Sequence, residues 1–201
     1  MSIRTAAVPQ PPAVTLLAAA AGITVTVAMA ATTQRGVHDI GVAFAFAVFI
    51  AFGELIRITL PGEREAAPLG MAGALAYAVL PAVGTEPAKH GALQVIAVTA
   101  VAVMVGLLPH AVAGRAPSMD YLARRMLTVA FAAILFRPLF TSQTGLADDP
   151  LLVTMLMVAV VLIAGVCDAA LAALVRAAHT GAPYRLVLFN ELHALAGIGS
   201  A

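Results

Sequence analysis

The chain has 201 residues, of which 62% are hydrophobic and only 10% charged, with eleven basic against ten acidic side chains. A soluble domain carries about 25% charged residues, so a water-exposed surface cannot be built from this composition and lipid must replace water around most of it. The length leaves room for about six membrane spans with short loops and for no sizeable soluble domain. The fold class expected is all-α: a polytopic transmembrane helical bundle of about six spans with an amphipathic C-terminal tail helix.

Residues 1–12 form a short polar leader with one cation, Arg4, and a Pro-rich stretch expected to be irregular. Ala13–Ala31 is the first span; the rival reading is a signal peptide, because Ala28-Met29-Ala30 fits a small-x-small cleavage site. The single leader cation and the length of the apolar run favour a retained span. Asp39–Leu60 is the second span, ending at Pro61-Gly62 in a charged loop, Glu63-Arg64-Glu65. Gly70–Val83 is a short third span containing Pro81. Ala92–Ala113 is the fourth, with Gly114 placed to cap its end. Tyr121–Phe140 is the fifth, entered through Arg124 and Arg125. Leu151–Val175 is the sixth and the most apolar, interrupted by Cys167 and Asp168. The membrane domain therefore spans residues 13–175. Residues 176–201 are a cytoplasmic tail or the start of a further span, with an amphipathic helix over Tyr184–Leu195. The small residues at the end, with no closing signal, suggest a fragment of a longer chain.

The distribution of Arg and Lys sets the orientation. With the N-terminus inside, the inner face receives Arg4, Arg57, Arg64, Arg115, Arg124, Arg125, Arg176 and Arg185. The outer face receives only Arg35, Lys89 and Arg137. A multi-pass protein of the bacterial inner (plasma) membrane with both termini cytoplasmic is expected.

Few residues offer chemistry. Glu54 and Arg57 are three apart, so on a helix they share a face near the cytoplasmic end of span two. An ion pair that fixes the helix end is the plainer reading, and a ligand or proton site is the sharper one. Asp168 must be protonated, hydrated or paired within its apolar run; its candidate partners are Arg124, Arg125 and Arg57. His38-Asp39 is isolated, whereas a metal site needs three or four converging ligands. Cys167 reads as a small packing residue and, as the only cysteine, can form no intrachain disulfide. No catalytic residue, metal site or cofactor is expected, and nucleic acid is not an expected partner.

Small residues recur at every fourth position: Ala18, Gly22, Thr26 and Ala30 in span one, Gly70, Ala74 and Ala78 in span three, and Gly165, Ala169 and Ala173 in span six. Such ridges allow close helix approach where lipid supplies no hydrophobic drive. Packing within the chain is their first expected use, and a homo-oligomer the second.

The stretch GELIRITLPGEREAAPLGMAGALAYAVL, residues 53–80, resembles the membrane region of actinobacterial signalling proteins that carry an HD-type (HD-GYP-like) phosphohydrolase domain. The tail NELHALAGIGSA, Asn190–Ala201, is similar to the segment leading into their last membrane spans. The resemblance implies a sensory or anchoring module that precedes a metal-dependent catalytic domain. That domain's His and Asp residues have no counterpart here, so no catalytic role is carried over. A cytoplasmic output domain or partner is implied. A small transporter or channel is the competing function. It would need a polar pathway at the bilayer midplane, where this sequence is nearly all Ala, Val, Leu, Ile and Phe.

Overall fold

The computed structural model describes residues 12–37, 39–56, 58–60, 64–66, 68–79, 91–114, 118–136 and 149–195. Each apolar run of the sequence contains a helix: α1 (Pro12–Arg35), α2 (Ile40–Leu55), α3 (Pro68–Val79), α4 (Gly91–Val112), α5 (Met119–Phe136) and α6 (Pro150–Thr180), followed by the tail helix α7 (Tyr184–Leu195). Three of them, α1, α4 and most of α6, are long and apolar enough to cross a membrane, while α2 and the core of α3 are shorter apolar helices. Arg57, His38, Pro81, Glu63, Asp148 and the loop cations Arg115, Arg137 and Lys89 lie outside the described residues.

Several boundaries differ from expectation. The second span was expected to stay helical to Leu60, but α2 stops at Leu55, and Ile58–Leu60 pairs antiparallel with Arg64–Ala66. β-Branched Ile58 and Thr59 favour an extended backbone, and Pro61-Gly62 is a turn signal between the two strands. The bundle thus carries one small hairpin, β1 and β2, in the register Ile58↔Ala66, Thr59↔Glu65, Leu60↔Arg64. α6 runs beyond Val175 to Thr180. Its start is fixed by Asp149, whose carboxylate accepts from the backbone N–H groups of Leu151 (2.9 Å) and Leu152 (3.3 Å), with Pro150 in the first turn. Gly181, at φ 69°, closes its other end. Gly114 takes φ 72° just after α4 and donates to the Ala111 carbonyl, as its sequence position suggested.

α4 and α5 form the centre. α4 packs against α1, α2, α3 and α5, and α5 against α1, α3, α4 and α6. Alanine supplies more of the buried apolar positions than any other residue, including Ala74, Ala78, Ala132, Ala133 and Ala173 at 0% exposure. Large apolar side chains instead face outward on every one of these helices: Leu16, Phe44, Leu69, Met104, Ile134 and Leu162 are all exposed. A contiguous apolar exterior around a small-residue interior is the arrangement lipid demands, and it is untenable in water. Of the three small-residue ridges, those of α3 and α6 are turned inward over most of their length. The α1 ridge is not. Gly22, Thr26 and Ala30 are exposed, and Val14, Leu17, Ala21 and Ala28 make the contacts instead. In so alanine-rich a helix, a small residue every fourth position occurs on more than one face, and the larger Val14 and Leu17 decide which face is buried.

Candidate functional site: a polar cluster at one end of the bundle

The C-terminal end of α2, the end of α4, the start of α5 and the later part of α6 lie at the same end of the bundle. Glu54, Arg124, Arg125 and Asp168 gather there, whereas Arg35, Asp39 and Asp149 stand at helix termini of the other end. Glu54, in the last turn of α2, is fully buried and forms an ion pair with Arg125 of α5, itself 5% exposed. Tyr121, one turn before Arg125, donates its hydroxyl to Glu54 Oε2 at 3.2 Å. The expected Glu54–Arg57 pair involves a residue outside the described ones. Among the described residues the guanidinium that reaches Glu54 comes from another helix, α5.

Glycine makes room for this pair. Gly53 lies directly against the backbone of Leu69 and Gly70, so α2 and α3 touch main chain to main chain. A Cβ on Gly70 would lie 2.6 Å from Glu54 Oε1 and 2.8 Å from Arg125 Nη2. A Cβ on Gly106 of α4 would lie 2.5 Å from the Ala51 carbonyl oxygen and 2.7 Å from Glu54 Cβ. Three glycines from three helices therefore let α2, α3 and α4 close around Glu54, with Gly70 against its carboxylate. This enclosure excludes water and strengthens the ion pair, while leaving either charge costly if its partner is lost.

Arg124, adjacent to Arg125, turns the other way. Its Nη1 lies 3.7 Å from Asp168 Oδ2 on α6. Asp168 is thus placed against one of the three arginines proposed from sequence. Its side chain is 41% exposed, so water screens the pair. Asp168→Asn should lower stability by no more than about 1 kcal/mol, read from a denaturation titration in detergent; a loss several times larger would mean that the carboxylate carries more than this contact. A third pair continues the series: Arg176 of α6 and Glu191 of α7, at 2.9 Å, with Glu191 buried. Glu191 and Tyr121 were not singled out from sequence. The signal for Glu191 was an acid on the tail helix fifteen residues from an α6 arginine, with no local partner at helical spacing.

The opposite end of the bundle is different. Gln94 of α4 donates to the Tyr77 hydroxyl of α3 at 3.0 Å, and Phe46 of α2 stacks on the Tyr77 ring with centroids 5.0 Å apart. This contact is neutral, and it satisfies a buried amide without introducing charge. Between the two ends, Thr99 of α4 and Thr128 of α5 are also fully buried. Among the described residues no three His, Cys, Asp or Glu side chains converge as metal ligands.

The apolar exterior and the three helices of spanning length define a helical membrane protein. No family model matches the chain, and neither a curated protein nor a solved structure matches it.

Proposed function

We propose that the chain is a six-span sensory or anchoring module in the bacterial plasma membrane, with both termini cytoplasmic, serving a signalling protein of the HD-domain phosphohydrolase type. The observation that carries the module reading is the series of ion pairs Glu54–Arg125, Arg124–Asp168 and Arg176–Glu191. It joins α2, α5, α6 and α7 at the end that the cation bias assigns to the cytoplasm, and so links membrane helices to the tail. A transport pathway would place charged or strongly polar groups along the whole crossing, whereas the charged groups of the described residues stand near the helix ends, with the three ion pairs at one of them. The HD-type assignment rests on the resemblance of residues 53–80 and 190–201.

Topology is tested by cysteine accessibility in a Cys167→Ala background. Ser118→Cys is expected to react only from the cytoplasmic side and Ser142→Cys only from the outside; the reverse pattern would overturn the orientation. The signalling assignment is tested by the gene beyond Ala201. An HD-type domain in frame supports it. A stop codon, together with no HD-type protein co-purifying from the native membrane, argues against it.

A further inference from the structure

α6 is longer than a bilayer crossing requires. From Pro150 to Asp168 it rises about 27 Å at 1.5 Å per residue, close to the roughly 30 Å of hydrocarbon in a bilayer. Ala169–Thr180 therefore continues past the polar cluster. α7 packs against these last turns. Tyr184 donates its hydroxyl to the Ala170 carbonyl at 3.4 Å, and Glu191 meets Arg176. Both contacts hold α7 at the level where the hydrocarbon ends. Its 12 described residues are about 18 Å long.

Its inner face is Val187 and Glu191, both buried. Its outer face carries Leu186 and Phe189, each 59% exposed, and the Phe189 ring rests on His193 with centroids 3.9 Å apart. Leu186, Phe189 and His193 follow the i, i+3, i+7 spacing of one helical stripe. From Ala169 to Leu195 the only acid is Glu191, which is turned inward and paired with Arg176, so the charge on the exposed side of α7 is the cation Arg185. We propose that α7 is an interfacial helix bound to anionic phospholipid. Leu186 and Phe189 enter the headgroup–acyl boundary, and Arg185 faces lipid phosphates. The inference rests on the reading that α6 crosses the bilayer. The position of α7 at the hydrocarbon edge, its apolar stripe and its one-signed exposed charge are the features of such helices, which bury their apolar face about 5–10 Å deep.

The chain contains no tryptophan, so a single introduced indole reports its own surroundings. The full chain carrying Phe189→Trp, reconstituted in vesicles of phosphatidylcholine and phosphatidylglycerol, should show blue-shifted emission. Lipid brominated near the headgroup end of its acyl chains should quench most of that emission, and aqueous iodide little of it. Leu186→Trp should behave alike and covers the case in which the first variant misfolds. Arg185→Glu in the Phe189→Trp background should restore iodide quenching. Red-shifted emission quenched by iodide would overturn the proposal. So would blue-shifted emission insensitive to brominated lipid, which would mark a face covered by protein, such as a second copy of the chain. Val158→Trp, on the exposed side of α6, separates the two levels. If lipid bromines do not quench it, the spanning reading itself fails; if they do while the α7 variants stay unquenched, only the interfacial helix fails.

Discussion

Glu54→Gln is expected to destabilise the protein by about 3 kcal/mol, because it leaves the Arg125 guanidinium charged and enclosed without its counter-charge. The cost should be of the same order for Arg125→Met, which strands the carboxylate. The double variant Glu54→Met with Arg125→Met removes both charges while keeping unbranched side chains of similar length, so it should recover much of the loss. Denaturation titrations of the four proteins in one detergent form a double-mutant cycle. A double variant as unstable as the sum of the two single changes would mean that the side chains do not interact. The contrast with Asp168→Asn is part of the expectation. Both are acid–arginine pairs at one end of the bundle, but one is sealed by glycine and the other is open to water.

The second large effect belongs to the glycines. Gly53→Val should cost about 3 kcal/mol, the upper part of the usual range for overpacking. The new side chain meets backbone atoms of Gly70 and Leu69, which have no rotamer through which to withdraw. Gly106→Val should cost a similar amount, since its Cβ would approach the Ala51 carbonyl oxygen. Gly70→Ala is the informative intermediate. Its Cβ meets the ends of Glu54 and Arg125, which can move, so its cost should shrink once both are replaced by Met. Gly22→Ala is the control. Nothing lies within 4 Å of that position, and alanine is the better helix former. Equal losses at Gly22 and Gly53 would refute the close crossing of α2 and α3.

These two sets of residues show what the sequence made legible. The apolar runs located α1 to α6, because a hydrophobic stretch bounded by Pro, Gly and charge is a local signal. The tail helix Tyr184–Leu195 was legible for the same reason. Asp168 could be assigned a short list of partners, since a carboxylate in such a run must find a cation and few are near its level. The Arg125 partner of Glu54 was not legible. Helical spacing pointed to Arg57, which lies outside the described residues, and Ile56 already departs from helical geometry at φ −92°, ψ 80°. Arg125 lies 71 positions away, and the packing of α2 and α5 on both α3 and α4 brings it close. Gly53 beside Glu54 and Gly70 after the hairpin were the available clue. A glycine next to a membrane-embedded acid marks a place where another backbone comes near.

Arg124 and Arg125 are neighbours in sequence, so they project from α5 about 100° apart, one toward α2 and the other toward α6. A twist of α5 about its own axis would pull both guanidinium groups away from their acids together. A small slide along the axis, by contrast, could be followed by two long, flexible side chains. The two arginines therefore set the rotation of α5 at this end of the bundle, with most of the hold in the buried Arg125–Glu54 pair and about 1 kcal/mol or less in the water-screened Arg124–Asp168 pair.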